Sequence, residues 1–186
     1  MELALDKRYT LKDYLGWVDD VRRELIDGFI HLFPAPSLNH QGICGNIHWE
    51  LRPLNKKNDL RVYISPADVV LVTPVDAQDM DATTVVQPDV FICKDSQIRD
   101  GRCYGAPLFI AEVLSKYNRK KDLFDKLDVY QRYGVGEYWI VNPITKTIEV
   151  FCHNGEDFDD SQEYTVEDKI KMKVVDFEVL VKDIFD

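Results

Sequence analysis

Two carboxylates stand inside strongly β-forming runs of this sequence. Asp89 lies in Val85-Val86-Gln87-Pro88-Asp89-Val90, and Glu112, 23 residues later, in Leu108-Phe109-Ile110-Ala111-Glu112-Val113. Acidic residues are depleted from strands, and a buried carboxylate without a partner is expensive. Two of them on neighbouring strands, with Pro88 fixing the chain just before the first, suit a divalent cation. Mg²⁺ or Mn²⁺ would take their oxygens together with water, a backbone carbonyl and a phosphate oxygen. Such a cation neutralises charge on a scissile phosphate and lowers the pKa of a bound water. The alternatives are a strand-end cap for Asp89 and a buried ion pair with a lysine for Glu112.

Lys126 adds to the cation reading. At about 100° per residue, Leu123, Leu127 and Tyr130 define the inner stripe of a helix over 118–133. Lys126 falls on that side, between Tyr130 and Tyr133, whereas Asp125 and Asp128 point elsewhere. A lysine on an inner face needs an anion, which Glu112 or a phosphate would supply. A packed stem whose ammonium reaches water is the alternative.

These groups need elements to position them. Thr10 begins a short helix, and Arg23–Phe33 reads as a hairpin turning at Asp27-Gly28, a type I′ signal. Ile43, Ile47, Leu51 and Leu54 recur at helical spacing and predict a second helix over 40–54. Runs at 61–64, 68–72, 85–92, 108–114, 137–141 and 147–151 predict strands, with loops over 74–84 and 95–107. The expectation is one α/β domain over residues 1–186. Its core covers about 23–151, with an acidic extension over 152–186. One central mixed sheet would carry 68–72, 85–92, 108–114 and 137–141, flanked by the helices near 40–54 and 118–133.

Composition narrows the function classes. Apolar residues make up 45% of the 186, which excludes a disordered chain. No apolar run is long enough to span a bilayer, and the N-terminus lacks the order of a signal peptide, so a cytoplasmic protein is expected. Cys44, Cys93, Cys103 and Cys152 are scattered without zinc spacing, so reduced thiols are expected. The net charge of −10 is concentrated in residues 149–186, while Lys94–Arg132 holds nine basic against six acidic residues. Whole-chain charge therefore does not exclude a polyanionic partner.

The order Pro-Asp, then Glu on the next strand, then Lys on the following helix resembles the PD-(D/E)xK nuclease superfamily. More narrowly, the chain resembles the Uma2 (DUF820) group of restriction endonuclease-like proteins. The matching pieces are Glu24-Leu25-Ile26-Asp27-Gly28, Pro36 with His40, Pro66 to Leu71, Val86 to Val90, Gly105 to Ser115, Asp122 to Lys126 with Tyr130, and Gly134 to Val141. They cover roughly residues 23–151. The superfamily pattern puts Lys two residues after the Glu, where this chain has Leu114; the Uma2 pattern takes the lysine from the helix, which is Lys126.

The resemblance implies a restriction endonuclease-like α+β core and a Mg²⁺- or Mn²⁺-dependent endonuclease acting on DNA. Asp89, Glu112 and the Val113 carbonyl would hold the cation, and Lys126 would orient or activate the attacking water and stabilise the charge developing on the phosphate. Glu24 joins the site as a further catalytic carboxylate, an edge-strand charge being the alternative. His40 and the basic Lys116, Arg119, Lys120 and Lys121 would contact the nucleic-acid backbone; a local hydrogen-bonding residue and solubilising helix-end charges are the alternatives. Asp68 is a lower-ranked candidate. A homodimer is expected, with Tyr138–Val141 and Ile148–Phe151 offering an edge or face to a second copy. Two rivals remain: a non-catalytic nuclease-fold binding module, and a structural protein whose carboxylates and lysine form a salt-bridge network.

Overall fold

The structure is a computed structural model. It describes residues 7–33, 35–56, 59–72, 79–115 and 120–186, with the side chains of 56 and 120–125 outside that description. Two six-stranded sheets carry the chain. In spatial order the first holds Phe29–Leu32, Arg23–Ile26, Thr84–Val86, Val69–Leu71, Arg102–Tyr104 and Ile98–Arg99. The second holds Gln162–Tyr164, Thr147–Cys152, Glu137–Asn142, Phe109–Val113, Val90–Lys94 and Leu60–Ile64. The structure is thus a mixed α+β fold.

Local chemistry sets many of the boundaries. Asp27 and Gly28 both take positive φ, 51° and 84°, as a type I′ hairpin requires. Ser37 caps helix Leu38–Leu51, its hydroxyl accepting from the His40 N–H at 3.2 Å. Helix Lys120–Tyr133 stops at Gly134, whose φ of 79° suits the residue after a helix end. That helix joins the parallel neighbours Phe109–Val113 and Glu137–Asn142 as a crossover.

The predicted strand 85–92 is two strands in two sheets. Thr84–Val86 pairs in the first and Val90–Lys94 in the second, with Gln87-Pro88-Asp89 as the joint. Pro88 has no N–H to give a ladder, so the chain leaves one sheet there and enters the other. Val69–Leu71 consequently lies in the first sheet, and the single central sheet expected from sequence is corrected to two. The predicted loop 95–107 contains a hairpin, Ile98–Arg99 with Arg102–Tyr104, turning on Asp100-Gly101 at φ 48° and 72°.

Both faces of the second sheet are covered. Val90, Ile92, Phe109, Ala111 and Val113 pack toward helix Leu38–Leu51 and the C-terminal segment, whose Ile170, Met172, Val179, Val181 and Ile184 are buried there. Phe91, Cys93, Ile110, Tyr138 and Ile140 pack against Val69, Leu71 and Val86 of the first sheet and Val129 and Tyr130 of helix Lys120–Tyr133. The expected association surface at 138–141 and 148–151 does not survive this arrangement. Those strands are interior to the sheet, and Tyr138, Trp139, Val141 and Ile148 are fully buried within the chain's own core.

Candidate active site

Asp89 and Glu112 are brought together at the end of two neighbouring strands. Val90 pairs with Ala111 across the antiparallel ladder, so the residues that flank this pair, Asp89 and Glu112, meet at its end. The Val113 N–H donates to Asp89 Oδ2 at 2.8 Å, which ties the two strands at the carboxylates. Strand alternation turns Glu112 to the face of Ile110, toward helix Lys120–Tyr133. There Lys126 Nζ donates to Glu112 Oε1 at 2.8 Å, and Tyr130 OH donates to the same oxygen at 2.8 Å. The two donors are four residues apart and share a helical face.

Glu24 completes the group from the first sheet. Its Oε1 accepts from Lys126 Nζ at 3.0 Å and from the Gln87 backbone N–H at 2.7 Å, while Oε2 is buried without a hydrogen-bond partner among the described residues. Lys126 is 6% exposed, Glu112 and Glu24 2% each. The edge-strand alternative for Glu24 and the solvated-ammonium alternative for Lys126 therefore do not hold. All four groups line a cavity of about 700 Å³, walled also by Arg22, Phe33, Pro36, Gln87, Pro143 and Ile144.

His40 enters the cavity from the first turn of its helix and approaches Asp89 Oδ2 with Nε2 at 3.1 Å. Its Nδ1 lies 3.4 Å from Cys44 Sγ, one turn along. His40, Cys44 and Asp89 thus offer ligand atoms within 4.8 Å of one another. Burial, then the charge of Asp89, raises the Cys44 thiol far above its ordinary range. The two contacts link the trio into a hydrogen-bonded chain that orients Asp89.

The charges are unbalanced. Burial pushes the Glu112 carboxyl up to about 7; Lys126 works against that shift, while Asp89 and Glu24 add to it. For Lys126, burial opposes the charge, but Glu112 and Glu24 outweigh it and hold the ammonium protonated above its ordinary range. Burial likewise opposes protonation of His40, and Asp89 reverses it to a net upward shift. Glu24 and Glu112 thus share one buried lysine, Asp89 is paired with His40, and among the described residues no donor reaches Glu24 Oε2. That donor set fits a divalent cation.

Lys116 and Arg119 lie outside the described residues, as does the Lys120 side chain. Asp68 is in the first sheet's network, accepting from Tyr14 OH at 3.0 Å and ion-paired to Arg102 at 3.2 Å, and does not line the cavity. Sequence reasoning missed Gln87, Tyr130 as a donor, Cys44 and Arg22. Only Tyr130, four residues beyond Lys126 on one helical face, carried a sequence signal.

Carboxylates from two sheets meeting a helical lysine in an α+β frame define a restriction endonuclease-like domain. A family model described as "Uma2: Putative restriction endonuclease" matches residues 11–178, and the chain belongs to that family. It is similar to the crystal structure of "a putative nuclease belonging to DUF820" from Anabaena variabilis ATCC 29413. The TM-score is 0.76 at 15% identity, over 95% of this chain and 97% of that one. At that identity the likeness bears on the fold. No curated protein matches the chain.

Proposed function

We propose that this protein is a metal-dependent nuclease that hydrolyses phosphodiester bonds in DNA, working in the cytoplasm as one domain over residues 1–186. The observation that carries the reading is the meeting of Glu24, Asp89, Glu112 and Lys126 at the floor of one cavity. The family's description as a restriction endonuclease supports DNA as the substrate. The four cysteines, all free and buried, suit a reducing compartment.

Asp89, Glu112 and the Val113 carbonyl would hold Mg²⁺ or Mn²⁺, which supplies charge neutralisation at the phosphate and a more acidic water. The chain's own groups do the rest. His40 and the Val113 N–H hold Asp89 in place, while Tyr130 holds Glu112. Lys126 acts as a cation that stabilises charge developing on the phosphate. The attacking water must lose a proton as its oxygen bonds phosphorus, and Glu24 Oε2 accepts it; the phosphorus–oxygen bond to the leaving group breaks, its electron pair stays on the leaving oxygen, and that oxygen takes a proton from solvent water. Phe33, Pro36, Pro143 and Ile144 give the same cavity an apolar wall.

A second reading has its own observation. Arg61, Arg99, Arg102 and Arg132 are all engaged in ion pairs within the chain, which favours a module that binds without turnover. Incubating supercoiled plasmid with the protein and Mg²⁺ or Mn²⁺ decides between them. Nicking that Asp89→Asn abolishes supports the nuclease; intact plasmid together with metal binding supports the non-catalytic module.

A further inference from the structure

Arg22 is a cation of this cavity that no carboxylate among the described residues claims. Arg22 and Glu24 occupy alternate positions at the start of the hairpin and both line the cavity. Arg23 between them turns away, its guanidinium 4.8 Å from the Trp17 ring centroid. Arg22 makes no ion pair among the described residues. Its Nη2 donates to Ser65 Oγ at 2.7 Å and its Nε reaches Gln87 Oε1 at 3.4 Å. Both acceptors are neutral, so the charge is steered without being cancelled.

The steering is built from the neighbouring strands. Gln87 Nε2 donates to Asp68 Oδ1 at 2.9 Å. A carboxylate only accepts, so the amide nitrogen must face Asp68 and the amide oxygen must face Arg22. Asp68 is fixed in turn by Tyr14 OH and by Arg102 Nε. The Gln87 backbone N–H meanwhile holds Glu24 Oε1 at 2.7 Å. One residue at the joint between the two sheets thus sets two groups of the cavity.

We infer that Arg22 forms an anion subsite that takes a substrate phosphate next to the scissile one, and that Gln87, held by Asp68, is its positioning residue. That the anion is a nucleic-acid phosphate rests on the nuclease reading; the anion site itself does not. Arg22 has five N–H donors, and its planar fork matches phosphate oxygens. The apolar walls of Phe33, Pro36, Pro143 and Ile144 suit a sugar or base.

The test titrates inorganic phosphate into the full chain with Mg²⁺ present. Binding is followed by calorimetry and by the Arg22 Nε–H resonance, assigned through its loss in Arg22→Gln. The expected result is a saturable shift of that resonance and phosphate affinity at least roughly tenfold weaker in Arg22→Gln. Gln87→Met, which keeps the backbone bond to Glu24 but releases the guanidinium, should weaken phosphate binding several-fold with the fold intact. Should Arg22→Gln not fold, Arg22→Lys, which keeps the charge, assigns the parent's Arg22 resonance instead, a shift of it supporting the subsite and no response overturning it. Phosphate binding that Arg22→Gln removes, in a chain that cleaves no DNA, supports the subsite and removes the nuclease reading. Unchanged phosphate affinity in Arg22→Gln overturns the subsite whether or not DNA is cleaved.

Discussion

Glu24 and Lys126, 102 positions apart in the chain, meet at 3.0 Å between one sheet and the helix that packs on it. The contact joins a hairpin strand of the first sheet to the crossover helix of the second. The ammonium is shared with Glu112 at 2.8 Å, so one cation offsets two buried carboxylates. Removing either kind of partner exposes the other to an uncompensated charge.

Lys126→Met keeps most of the stem's packing and deletes that cation. In Mg²⁺, DNA cleavage should fall by roughly two or more orders of magnitude. Without metal the variant should be less stable by about 3–5 kcal/mol, because Glu24 and Glu112 lose their shared partner. A variant that cleaves as fast as the parent reduces Lys126 to a structural ion-pair residue.

Divalent cation should stabilise the folded chain. At a concentration about 100 times Kd the gain is about 2.7 kcal/mol, or roughly 5–10 °C in Tm for a chain of this size. Asp89→Asn should lose most of that shift. Melting curves that Mg²⁺ and Mn²⁺ leave unmoved in the parent would eliminate the metal centre.

Glu112 links the metal to pH. Its carboxyl is raised from an ordinary 4.5 to about 7 in the folded chain. Between those values the folded state binds more protons than the unfolded one, so metal-free stability falls as pH rises through the window and levels above it. A cation needs the ionised carboxylate, so Mg²⁺ affinity should climb with pH up to about 7 and then flatten. Glu112→Gln should remove the stability slope. Mg²⁺ affinity that is flat from about pH 5 to about pH 8 contradicts the linkage.

His40→Ala should weaken metal binding by about 10–100-fold, the usual effect of removing a group that orients a metal ligand. At saturating Mg²⁺ its cleavage rate should fall less than that of Lys126→Met. If instead metal affinity is untouched and only DNA affinity drops, His40 contacts phosphate and does not serve Asp89.

Gly136→Ala probes the packing around the C-terminal segment. A Cβ there would lie 2.8 Å from the Leu108 carbonyl oxygen and 2.7 Å from Val174 Cγ1. Stability should drop by about 1–3 kcal/mol in urea unfolding. An unchanged midpoint would mean that the 172–177 segment yields at little cost.

Much of the frame is set by local signals. The Asp27-Gly28 turn, the apolar stripe of the Leu38–Leu51 helix, and the β-runs at 109–113 and 137–142 follow from backbone preference and side-chain period, which neighbouring residues decide. Lys126 on an inner helical face, and Asp89 beside Glu112, were legible for the same reason. The break at Pro88 was not. A single apolar run reads alike whether it stays in one sheet or crosses to another, because periodicity does not record which strand it pairs with. Nor could spacing place Glu24 against Lys126, turn Gln87 toward Arg22, or set His40 on Asp89. Those contacts depend on how two sheets and a helix pack, and on charges that matter to one another only once water has been excluded from between them.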